Sequence, residues 1–159
     1  MMLALAFFLG VIAGLRTMTA FAAASWAAYL SGIVPPGFSL DFLGGAWMPW
    51  ILSIMACAEL VKDKLPSTPS RKAPFGLVVR IVVGAVGGAT LTVGQGAWLT
   101  GASLGVAGAL IGTFAGASAR TRLAAAFGHD LPAALIEDSV AILGAVVIVY
   151  LVVIGGNCL

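Results

Sequence analysis

Charge is what this chain has least of. Of its 159 residues, 8 are Lys or Arg and 6 are Asp or Glu, 9% in all, where about 25% is usual for a soluble domain. A soluble fold of this size must cover its surface with polar side chains, and so few charges cannot do that. Cysteine is scarce too. Cys57 and Cys158 make no disulfide framework and read as small hydrophobes. A single histidine and no C-x-x-C pair leave no ligand set for zinc or haem, so no metal and no cofactor is expected. The net charge of +2 is small and scattered, which argues against a nucleic-acid partner. Residues 3–13 lack the basic residues that precede a signal-peptide core. No nucleophile–base pair is visible, so an enzyme is not expected.

What remains is oily. Hydrophobic residues make up 61% and glycines number 21, with a mean hydropathy of +1.11. The lipid bilayer is the expected environment. A bilayer core takes about 20 helical residues, and charge-free stretches locate the spans at about 3–30, 46–61, 75–93, 97–119 and 132–154. The uncharged run 81–119 would be roughly 58 Å long as one helix, so it must fold back, and Gly94-Gln95-Gly96 is the natural break. The runs lack the two-residue alternation of barrel strands. The expected fold is an all-α integral membrane bundle of five transmembrane helices in a single domain, the first helix interrupted only by Arg16 and broken, if at all, near Gly14.

Basic residues in short loops set the orientation. Lys62, Lys64, Arg71 and Lys72 follow the second span and Arg120 and Arg122 the fourth, whereas residues 31–46, 94–97 and 155–159 contain no Lys or Arg. The basic loops are therefore expected in the cytoplasm of a bacterial cell with the chain in its inner membrane, the N-terminus inside and the C-terminus outside. Trp47, Trp50 and Trp98 would then sit at the outer interface.

Gly101, Gly105, Gly108, Gly112 and Gly116 recur every three or four residues along one helical face, which lets two backbones approach closely. The stripe packs within one chain, forms a homodimer seam, or is a face that slides during transport. Gly10-Val11-Ile12-Ala13-Gly14 before Arg16-Thr17 faintly echoes Gly112-Thr113-Phe114-Ala115-Gly116 before Arg120-Thr121. In a five-span topology these two helices run in opposite senses, so the echo would be an inverted repeat.

Ionisable groups at membrane depth are expensive and carry function by default. Arg16, Glu59, Arg80, Glu137 and Asp138 are the candidates, a mixed-charge layer in the cytoplasmic third. Arg16 joins it only if residues 3–13 form a half-helix that enters and returns. The layer is either a static network locking the helices or a polar path whose carboxylates take a cation or proton. Adjacent carboxylates repel when both are ionised, which suits proton coupling. The polar stretch holding Lys64, Ser67, Thr68, Ser70, Arg71 and Lys72 is either a solvated connector or a clamp for phosphate, including a lipid headgroup.

Four motifs recur in a recognisable order: Gly14-Leu15-Arg16-Thr17, Glu59 through Asp63-Lys64-Leu65-Pro66, Gly112-Thr113-Phe114-Ala115-Gly116 and Glu137-Asp138. Together they resemble a bacterial multi-pass membrane family known as domain of unknown function four-one-two-six. The resemblance covers about residues 10–144 and implies an inner-membrane protein. It brings no assigned catalytic or binding residues.

The expected function is that of a small transporter or channel for a small solute or ion, acting as a homodimer. Glu137, Asp138 and Glu59 would bind the coupling ion, and Arg16 and Arg80 would balance them. A non-transporting scaffold or partner subunit and a lipid-phosphate handler are the alternatives.

Overall fold

The computed structural model describes residues 1–62 and 74–156. Every regular element among them is helical: α1 (Met2–Leu15), α2 (Thr17–Ser31), α3 (Met48–Lys62), α4 (Pro74–Thr92), α5 (Trp98–Phe127) and α6 (Asp130–Gly156), with 3-10 turns at Asp41–Gly44 and Val93–Gln95. The all-α class is as expected, but the described residues form six helices rather than five. The local signals are plain. Pro49, Pro74 and Pro132 lie in first turns, where a missing N–H costs nothing. Gly32 and Gly128 take positive φ of 60° and 76° at the ends of α2 and α5, the left-handed cap that glycine adopts without strain.

The sixth helix comes from residues 3–30, which form two helices instead of one. The break falls at Arg16, two residues beyond Gly14. Arg16 is extended, at φ −140° and ψ 105°, and serves both helices: its N–H donates to the Ile12 carbonyl at 2.6 Å, and its own carbonyl accepts from Ala20 at 3.2 Å. The chain then reverses. Leu9 of α1 and Ala24 of α2 meet the same residue, Gly87 of α4, while Ile12 packs on Gly144 and Met1 on Gly155. α1 is thus antiparallel to α6, and α2 returns beside it as the second arm of a hairpin. The helices alternate in direction throughout, so Met1 and Gly155, which are in contact, lie at the same end of the bundle. That corrects the expectation of termini on opposite faces, because one extra reversal moves the N-terminus across.

Two trios of helices emerge. α1, α4 and α5 pack most closely, backbone against backbone, while α3 and α6 both pack on α2. The first trio is built on glycine. A Cβ at Gly105 would overlap the Gly84 carbonyl, one at Gly88 the Gly101 carbonyl, and one at Gly112 the Val11 carbonyl. Gly101, Gly105, Gly108, Gly112 and Gly116 are all buried, in contact with α4 or α1. The stripe is consumed inside the chain, so it is not free to be a dimer seam. Gly10 and Gly14 advance along α5 from Gly105 to Gly112, which makes α1 and α5 parallel; the echo between them is not inverted.

Three helices, Phe75–Gln95, Trp98–Phe127 and Asp130–Gly155, are long and apolar enough to cross a membrane. α5 runs to Phe127, past the expected end at 119, because the alanine-rich stretch after Arg122 favours helix. Arg120 and Arg122 therefore sit on a helix and not in a loop. Side chains such as Ile54, Val78 and Leu143 stand exposed around the outside, as a lipid-facing surface requires. Trp47, Trp50 and Trp98 are exposed at the end opposite the charges.

Candidate functional site

The hairpin stops short. α1 and α2 have 14 and 15 residues, about 21 and 22 Å against a bilayer core of ~30 Å. Their joint meets Asp138, roughly 12 Å into α6, and Leu15 beside it fills the space next to Gly116, roughly 17 Å before the end of α5. Non-helical backbone at such depth is tolerated only inside protein, and here the joint is enclosed.

Arg16 is the largest fully buried side chain, 2% exposed, and forms an ion pair with Asp138. Glu137 and Asp138 are 8% and 6% exposed. Adjacent residues on a helix project about 100° apart, so the two acids serve different neighbours. Asp138 meets the hairpin joint, while Glu137 lies beside Gly116 and faces Arg120, Nη1 to Oε2 3.7 Å. Arg120 also grips Asp130 with two parallel bonds, Nε to Oδ1 2.8 Å and Nη2 to Oδ2 2.5 Å. Bidentate pairs of this kind are among the stronger polar contacts.

Glu59 has a different task. Its Oε1 accepts the Thr17 N–H at 3.1 Å and its Oε2 the Met18 N–H at 2.8 Å. The first amides of a helix lack intrahelical acceptors, and a carboxylate there also meets the positive end of the helix dipole. A side chain of α3 thus caps α2 across the bundle. The facing carbonyl of Gly14 accepts from the Thr113 hydroxyl at 3.5 Å. Arg80 is half-buried on α4, one turn before the Gly84 that packs on Gly105 and Ala109, and so starts from the level of Gly14.

Arg16, Glu59, Glu137 and Asp138 thus surround or flank one joint, with Arg80 at a neighbouring level. Lys64, Ser67, Thr68, Ser70, Arg71 and Lys72 lie outside the described residues. Arg120 and Asp130 were missing from the sequence-derived set. The signal that could have found them is Gly128: a glycine cap brings the end of one helix against the start of the next. Among the described residues no group of His, Cys, Asp and Glu has the makings of a metal site.

The charged layer bridges the two trios. Arg16 at the end of α1 and Arg120 on α5 come from the glycine-packed trio, and their acids Asp138, Glu137 and Asp130 all come from α6.

No curated protein and no solved structure matches the chain. The profile of the family described as Domain of unknown function (DUF4126) matches residues 3–158. The motifs quoted above lie within that match, and the chain belongs to this family.

Proposed function

We propose that this protein is a small transporter or channel for an ion or small solute in the bacterial inner membrane, working through the Arg16–Asp138 joint. The carrying observation is a short helical hairpin whose buried joint holds an ion pair. Removing two charges from water costs several kcal/mol per ion even after relaxation, and the glycine seam already binds α1, α4 and α5 without it. Helix ends that meet inside the protein at membrane depth, with polar groups gathered at them, are a recurrent form of transporter binding sites. In this reading a proton or cation competes with Arg16 for Asp138, with Glu137 beside it as a second carboxylate. Loss of the pair frees the α2–α3–α6 trio to rock against the rigid one.

The basic end faces the cytoplasm in this reading, which puts both termini outside. A homodimer would use lipid-facing surfaces, since the glycine stripe is occupied. The competing scaffold reading draws on Glu59 and on the Arg120–Asp130 pair, both of which tie neighbouring helix ends together. Ion flux into proteoliposomes separates the two. E137Q and D138N that stay folded but lose flux support transport; folded variants with unchanged flux support the scaffold.

A further inference from the structure

At the basic end of the bundle, Arg120 of α5 stands between two acids of α6. Its Nε and Nη2 bind the two carboxylate oxygens of Asp130, at 2.8 and 2.5 Å. Its Nη1 faces Glu137 Oε2 at 3.7 Å, beyond hydrogen-bonding reach. Asp130 and Glu137 are seven residues apart, which puts them on one helical face about 10 Å from each other. Between them on that face are Ala133 and Ala134, both buried and too small to bar the way of a long side chain. α5 and α6 run in opposite senses. Glu137 lies beside Gly116, and Arg120 is one turn further toward the basic end. Its backbone is therefore rooted roughly 6 Å from the level of Glu137, midway between the two acids.

The two acids hold the guanidinium by different means. The Asp130 side chain is 60% exposed, and an ion pair in water contributes little beyond its hydrogen bonds. Glu137 is buried and offers only the longer contact, but charges attract more strongly where water is excluded. Good bonds in water on one side are set against a stronger field on the other, the near-balance that a two-position group requires. Beyond Glu137 comes Asp138, which holds Arg16 at the hairpin joint. A line of charged groups thus runs from the exposed Asp130 through Arg120 to the buried layer.

We propose that Arg120 is a built-in competitor for the ion at Glu137, and that Asp130 is the residue that positions it; this rests on the transport reading. While Arg120 is held on Asp130, as in this structure, Glu137 takes a proton or cation from the basic side. When Arg120 moves inward to Glu137, it supplies the positive charge itself and the ion leaves. The guanidinium stays protonated throughout, so one positive charge replaces another and the buried layer gains none. α5 belongs to the glycine-packed trio and α6 to the other, so the transfer of Arg120 accompanies the rocking of one trio against the other.

Ion flux into proteoliposomes and solid-state NMR of the full chain in lipid test this together, on variants with wild-type helix content. D130N keeps the shape of the side chain and loses its charge, so Arg120 settles on Glu137. Flux should fall about tenfold, the equivalent of one charge-assisted hydrogen bond. D130E restores the acid and should recover the flux. R120Q/D130N removes the competitor as well and should carry more than D130N. A static tie between helix ends predicts otherwise, and a double variant no faster than D130N would overturn the proposal. The NMR readout needs no flux. Recoupling of guanidinium nitrogen-15 to the side-chain carboxyl carbon-13 of Glu137, identified by its loss in E137Q, reports how near an arginine stands. The share that R120Q abolishes belongs to Arg120. That share should grow in D130N as the contact shortens to hydrogen-bonding distance. No growth would overturn the proposal even in a protein that transports. Growth in a protein without flux would support the two-position arginine and refute the transport reading alone.

Discussion

The guanidinium of Arg16, on the single extended residue between α1 and α2, is ion-paired with the carboxylate of Asp138 on α6. The pair joins the point where one helix reverses to the helix against which its first arm runs antiparallel. Break and charge therefore depend on each other: Arg16 reaches Asp138 from the turn, and the turn keeps its buried charge because Asp138 neutralises it.

Removing one member should be worse than removing both. D138A takes a paired carboxylate away from the buried Arg16 and should destabilise the protein by about 3–5 kcal/mol, whereas R16M/D138L should recover much of that loss. Denaturation in detergent, followed by helix content, checks the order of the two variants.

Glu59 acts on backbone rather than on another charge. E59A should destabilise by about 1–2 kcal/mol, the usual loss for a helix cap, and E59Q by less, since its amide oxygen still accepts one N–H. Hydrogen exchange of the Thr17 and Met18 amides should speed up in E59A, with α5 unaffected.

The glycine seam predicts a size effect that ignores hydrophobicity. G105A sets a methyl against the Gly84 carbonyl and should destabilise by about 1–3 kcal/mol through overpacking. S103A, on the exposed face two residues earlier, should stay within about 0.5 kcal/mol of wild type.

A hairpin in place of one long span puts both chain ends on one side. Topology reporters fused separately to the N- and C-termini should give the same answer, and opposite answers would contradict the six-helix alternation.

Much of this was legible in the sequence. Three-and-four spacing marked the glycine face from Gly101 to Gly116, because helical periodicity maps directly onto a surface. Arg16, Glu137 and Asp138 stood out because a charge in an apolar run has few places to go. The hairpin was not legible in full. Hydropathy measures how much apolar chain there is and not which way it runs, and the reversal at Arg16 has no proline or glycine of its own, only Gly14 nearby. Arg120 and Asp130 were missed for a related reason: their pairing depends on α5 continuing through its alanines to Gly128.

The claim on which the rest depends is that water reaches the charged layer while the protein works, and this can be tested without knowing what is carried. Ala141, fully buried one turn along α6 from Asp138, can be replaced by cysteine in a C57S/C158S background. The protein is reconstituted in vesicles and treated with a charged, membrane-impermeant thiosulfonate. The account predicts that A141C is modified in the folded protein, faster when Asp138 is also changed to Asn. Protection of A141C as complete as that of a cysteine in a dry core, with or without D138N, would contradict it.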